Sequence, residues 1–106
     1  MSRRAALQAC LRDWLPEIPR WEADEIVAHC LDAASSLRQV PPRGAVRLAA
    51  VAFVRHTFTE YDDLLAQGWG VEAARHFVAP AIDAVLADWG ATQGIVTDDS
   101  PPPVVK

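Results

Sequence analysis

Lysine is almost missing from this chain of 106 residues: Lys106 is the only one, and the other nine basic residues are arginine. The basic residues are outnumbered by 14 acids, which leaves a formal charge of −4. Residues 1–43 are neutral in sum, residues 44–90 carry −3 and residues 91–106 carry −1. No segment is basic enough to neutralise a phosphate backbone without regard to sequence, so a nucleic-acid partner is not favoured and would have to use a local patch. Long apolar runs are missing too. The longest, Leu48 to Val54, is bounded by Arg47 and Arg55 and falls far short of the roughly 20 residues a membrane span requires. No membrane partner is expected. Arg3 and Arg4 are followed by Arg12 and Asp13 before any adequate apolar stretch, so no secretory signal is read and a cytoplasmic location is expected.

Other absences narrow the chemistry. The two cysteines, Cys10 and Cys30, sit in no CxxC-like motif, and in a reducing compartment they are expected to be free, small core residues. The five glycines are scattered, so no loop cradles a phosphate. The only serines are Ser2, Ser35, Ser36 and Ser100, at expected caps, loops or tail, which weighs against a serine nucleophile. There is no HExxH and no EF-hand loop, and His29, His56 and His76 are nowhere three or four residues apart. Neither a metal nor a cofactor is expected, and no residue is assigned to catalysis.

What is present is helical pattern. Alanine occurs 19 times, and a chain of this length fits one domain of roughly 100–150 residues. Ser2 can cap a first helix whose stripe is Leu7, Cys10, Leu11, Trp14 and Leu15, ended by Pro16. Pro16 to Pro19 reads as a rigid connector with Ile18 turned into the core. Ala23, Ile26, Val27, Cys30, Leu31 and Ala34 form the stripe of a second helix. Residues 35–43 read as a loop made locally basic by Arg38 and Arg43. Gly44 then leads into a third helix over 45–57, apolar nearly all round and therefore central; within it Arg47 must lie at an edge or be held by an acid. Thr57 with Glu60 fits a capping box, and Thr59 with Asp62 nearly does. They predict a break and a short fourth helix from about Glu60 to Gln67, closed by Gly68. A fifth helix runs from Val71 to Trp89, with a kink expected near His76–Pro80 because Pro80 cannot bond the carbonyl of His76. No segment reads as a strand. The fold class expected is all-α, a small bundle of four to five helices over residues 1–90, followed by a flexible, Pro-rich acidic tail over 91–106.

One region concentrates polar groups beside the apolar third helix. Arg55, His56, Thr59, Tyr61 and Asp62 fall within eight residues, and Arg75 and His76 sit near the expected kink. Together they offer a fixed cation, an imidazole near neutral pKa, a phenol and a carboxylate. The bland account is a hydrogen-bonded corner, with Arg55 paired to Asp62, Tyr61 bonded to a carbonyl and both threonines capping. The alternative is a binding surface formed by Arg38, Arg43, Arg55, His56, Thr59, Tyr61, Asp62 and Arg75. Trp14 and Trp89 fit core stripes, whereas Trp21 and Trp69 stand at helix starts, where core or helix-end packing is the favoured reading and anchoring of a partner the alternative.

The stretch from Val46 to Trp89 resembles domain-of-unknown-function family 2293, found in bacterial and fungal proteins. The resemblance lies in the apolar run into Arg55-His56, then Thr59-x-Tyr61-Asp62-x-Leu64-Leu65, Gly68, Ala74-Arg75, Val78, Ile82, Val85-Leu86 and Trp89. It covers roughly residues 12 to 90 and implies the helical fold and the choice of residues, but no activity. Where the family has a glycine- and arginine-rich loop before the central helix, this chain reads Leu37-Arg38-Gln39-Val40-Pro41-Pro42-Arg43, with prolines in place of the glycines.

The leading functional expectation is a non-enzymatic interaction module that meets a protein partner or an anionic ligand through the Arg/His/Tyr/Asp corner. RNA or DNA binding by the same arginines is the second reading. A small enzyme with His56 and Asp62 as its acid–base pair is the third. A homodimer is compatible with each.

Overall fold

The computed structural model describes residues 2–91. Its helices are α1 (Arg3–Trp14), α2 (Arg20–Leu31), α3 (Pro42–Phe58), α4 (Tyr61–Ala66) and α5 (Val71–Asp88), with a 3₁₀ turn over Ser36–Gln39 between α2 and α3. No strand occurs among the described residues, and the all-α expectation holds. The expected tail lies, from residue 92 on, outside the described residues.

The Ser2 side chain accepts from the Ala5 N–H at the start of α1, and α1 stops two residues before Pro16, as the proline requires. Ile18 packs half-buried against the core from the connector. α2 is shorter than its stripe suggested. It ends at Leu31, and Ala34 is exposed in the turn that follows, its N–H held by the Asp32 carboxylate. An aspartate that bonds the backbone two residues on competes with the helical bond and ends the helix.

α3 starts three residues earlier than expected, at Pro42. Proline suits the first helical position because its φ is already helical and its missing N–H would have had no partner there. Gly44 is therefore inside the first turn. Its lack of a side chain answers to packing, since a Cβ there would lie 3.2 Å from Cγ1 of Val40. Arg3 fixes the same corner, donating to the carbonyls of Leu37 at 2.8 Å and Val40 at 2.9 Å.

α3 is the central element and packs against α1, α2, α4 and α5. It buries Ala45, Val46, Ala49, Ala50, Val51 and Val54, and its alanines let neighbouring helices come close. Leu48 is the exception to the enclosed helix expected from the sequence, 54% exposed. The core is completed by Leu7, Leu11 and Leu15 of the first segment, Ile26 and Val27 of α2, and Val78, Ile82 and Leu86 of α5. Cys30 is fully buried among them and Cys10 half-buried; both are free thiols. α5 runs through Pro80 without interruption. The proline and His76 both lie on the exposed side, where water can satisfy the carbonyl that Pro80 leaves without its bond.

Candidate functional site

The site grows out of the break between α3 and α4. Thr59 is the residue that makes the break. It sits at the C-cap of α3 with extended backbone, donates its hydroxyl to the Arg55 carbonyl and accepts from the Tyr61 N–H at 3.2 Å. One hydroxyl thus serves the end of one helix and the start of the next. The expected capping box of Thr57 with Glu60 does not form. Thr57 lies exposed in the last turn of α3, and Glu60 occupies the N-cap of α4 without a side-chain bond. The threonine two residues later had already taken the role.

His56 and Asp62 are six positions apart in sequence, and the turn folds them together. His56 Nδ1 and Asp62 Oδ1 are 2.8 Å apart. The pair stands in solvent, with the two side chains 52% and 60% exposed. Tyr61 takes the other direction. It is 5% exposed, its ring meets the His56 ring edge-on at 5.3 Å, and the Arg55 guanidinium carbon lies 5.5 Å from its centroid. Such a contact is attractive because the ring face is electron-rich. The corner therefore presents His56 and Asp62 outward and keeps Tyr61 inside with Arg55 against it. The pairing considered from the sequence, Arg55 with Asp62, gives way to His56 with Asp62.

His56 also forms one wall of a shallow groove of about 250 Å³ between α2 and α3. Ile26, Ala49 and Phe53 contribute apolar lining, Glu25 and His29 stand on the α2 side, and Thr57 continues the α3 side. The Phe53 ring touches both Trp21, at 6.3 Å, and Phe58, at 6.1 Å, so an aromatic row borders the polar corner. Trp21 is 63% exposed. The place of Glu25 and His29 across the groove from His56 depends on how α2 packs on α3, which no local pattern encodes.

The remaining candidates stand elsewhere. Arg38 lies exposed on the 3₁₀ turn and Arg43 in the first turn of α3. Twelve residues of helix separate Arg43 from Arg55, about 18 Å along the axis. Arg75 is exposed on α5 and makes no hydrogen bond or ion pair among the described residues. Arg47 is half-buried, its guanidinium carbon 4.7 Å from the centroid of the Trp14 ring. Trp14 and Trp89 are buried, as their stripes predict, whereas Trp21 and Trp69 are exposed. No group of three or more His, Cys, Asp or Glu residues fit to hold a metal occurs among the described residues, and none of their helices is long and apolar enough to cross a membrane.

Among known protein families, the model described as "Uncharacterized conserved protein (DUF2293)" matches residues 10–90, which include the central helix, the break and the His56–Asp62 corner. No curated protein matches the chain. No solved structure matches it.

Proposed function

Since the chain belongs to the DUF2293 family, described only as uncharacterised, we propose its function from its own surface: it is a non-enzymatic interaction module that engages a partner protein across the α3–α4 corner. The observation that carries this reading is the His56–Asp62 pair, 2.8 Å apart yet more than half in solvent, beside the exposed rings of Trp21 and Phe58. A pair fixed by a helix break offers a partner a preset donor and acceptor, and exposed aromatics supply apolar contact area at small entropic cost. General acid–base chemistry asks for a cavity that shields the reacting groups from water. The exposure of both side chains therefore supports recognition over catalysis.

The test is a photo-reactive residue introduced at Thr57 in the cell, with Ala87, on the far side of α5, as the comparison position. The expected result is a discrete crosslinked protein at position 57 alone, lost in the double variant His56→Ala, Asp62→Asn at unchanged melting temperature. A product of twice the chain's own mass identifies the partner as a second copy. Identical patterns at both positions, or a product that survives the double variant, overturn the proposal.

A further inference from the structure

The two exposed flanks of α2 differ in charge. Arg20 and Asp24 stand one turn apart on the flank toward α1, their side chains 3.8 Å from each other, and both line the cavity between those helices. The spacing i, i+3, i+7 puts Glu22, Glu25 and His29 together on the other flank, and Glu25 and His29 border the groove beside His56. On the α3 side, Asp62 adjoins the rim through its contact with His56. No lysine or arginine lines the groove among the described residues. Arg55, next to His56 in sequence, has its guanidinium turned to the Tyr61 ring. The fixed charges around the groove are therefore negative: Glu25 and Asp62 at its rim, and Glu22 one turn before Glu25.

The floor is apolar. Ile26, Ala49, Ala52 and Phe53 supply it, and exposed Trp21 extends it, its ring 6.3 Å from that of Phe53. The volume of about 250 Å³ lies below the roughly 300–1,000 Å³ of small-molecule sites. It is space for one or two aliphatic side chains rather than for a whole ligand. An acidic rim repels the phosphates of nucleic acid and of anionic lipid and attracts a cationic protein surface.

We propose that the partner enters this groove with a cationic amphipathic helix. Aliphatic side chains one turn apart lie on the floor, and a lysine or arginine beside them meets Glu25 and Asp62. A helix satisfies its own backbone bonds, so it needs no sheet edge to pair with, and none exists among the described residues. Apolar anchors set in a groove are the usual way such a helix is held. This inference rests on the reading of the corner as an interaction surface and names the chemistry of what it meets.

The experiment is a two-dimensional proton–nitrogen NMR titration of the full chain with an alanine-based peptide of about 18 residues, long enough to hold a helix. It carries two leucines four residues apart with a lysine beside each. One control peptide has glutamates for the lysines, and another has alanines for the leucines. Saturable shifts of the Ile26, Ala52, Phe53 and His56 amides are expected with the lysine–leucine peptide alone. Replacing both Glu22→Gln and Glu25→Gln is expected to weaken binding about fivefold. Replacing both Glu72→Gln and Asp88→Asn on α5 removes the same charge and leaves binding unchanged, which general attraction to an acidic protein would not do. Equal binding of the glutamate or the leucine-free peptide, equal losses in the two double variants, or saturable binding of a single-stranded RNA at the same amides overturns the proposal. Concentration-dependent shifts of those amides without peptide give the groove to a second copy and overturn it as well. The two readings fail separately. A crosslink at position 57 with peptides that bind alike removes only the charge assignment, whereas absence of that crosslink removes the corner's role whatever the peptides do.

Discussion

Two glycines show how differently one residue type can be used. Gly68 and Gly90 both take positive φ, at 98° and 103°, and both close helices in the same way. Trp69 N–H bonds the Leu64 carbonyl and Gly68 N–H that of Leu65; Ala91 N–H bonds the Leu86 carbonyl and Gly90 N–H that of Ala87. This paired pattern needs a left-handed residue at its centre. Around Gly68 there is open space, whereas a Cβ on Gly90 would lie 2.8 Å from Cδ of Pro16. Pro16 has little freedom to retreat, because the next residue, Glu17, bonds the Trp89 carbonyl at 2.8 Å. Gly68→Ala should therefore cost only the backbone strain, about 1 kcal/mol. Gly90→Ala should cost about 2–4 kcal/mol, because it adds a clash between two held segments. Urea unfolding of the two variants measures both, and equal losses would contradict the role given to Pro16.

At the scale of the element, α3 is the axis on which the other helices are placed, and its two kinds of apolar residue should respond oppositely. Ala50 is fully buried where neighbours approach closely, while Leu48 faces solvent. Ala50→Leu is expected to lose about 1–3 kcal/mol by overpacking, although leucine is at least as apolar. Leu48→Ala should shift stability by no more than about 0.5 kcal/mol. The helices were legible because each carries its own evidence: Leu7, Leu11 and Trp14 repeat along α1, and Pro16, Gly68 and Gly90 mark ends. The missed boundaries are those decided by side chains reaching a few residues along the backbone. Asp32 stops α2 before Ala34, and Thr59 takes the role given to Thr57 and Glu60. The site was legible as a list of residues but not as an arrangement. Nothing local says that Tyr61 turns inward while Asp62 meets His56, since adjacent helical positions point about 100° apart and only the packing of α4 on α3 and α5 chooses which one is buried. The Arg47–Trp14 contact was hidden for a related reason: it joins α1 to α3, and sequence neighbours of Trp14 carry no trace of it.

For the molecule as a whole, Cys30 reports on the entire core. Its side chain is fully buried, with Sγ 3.5 Å from the Ala45 carbonyl, and α2 and α3 must separate before a reagent can reach it. Burial raises its thiol pKa, with the positive charge of Arg3 acting weakly the other way. Two consequences follow from that one position. Reaction with a thiol reagent near pH 8 should be biphasic, a fast phase from half-buried Cys10 and a slow phase from Cys30 that keeps pace with opening of the core. Cys10→Ser should remove only the fast phase. The pH dependence has a definite sign. Below the ordinary thiol pKa both folded and unfolded chains hold the proton, and Cys30 adds no pH dependence. Above it the unfolded chain releases a proton that the folded chain retains, so stability falls as pH rises and continues to fall until the raised folded value is passed. Measured between about pH 8 and 10, the stability of the wild type should therefore decline relative to Cys30→Ala, which has no thiol to ionise. A difference that stays flat across that interval, or a Cys30 that reacts as fast as Cys10, would mean that α2 does not stay closed on α3. The groove beside His56, which needs those two helices as its walls, would then lose its basis.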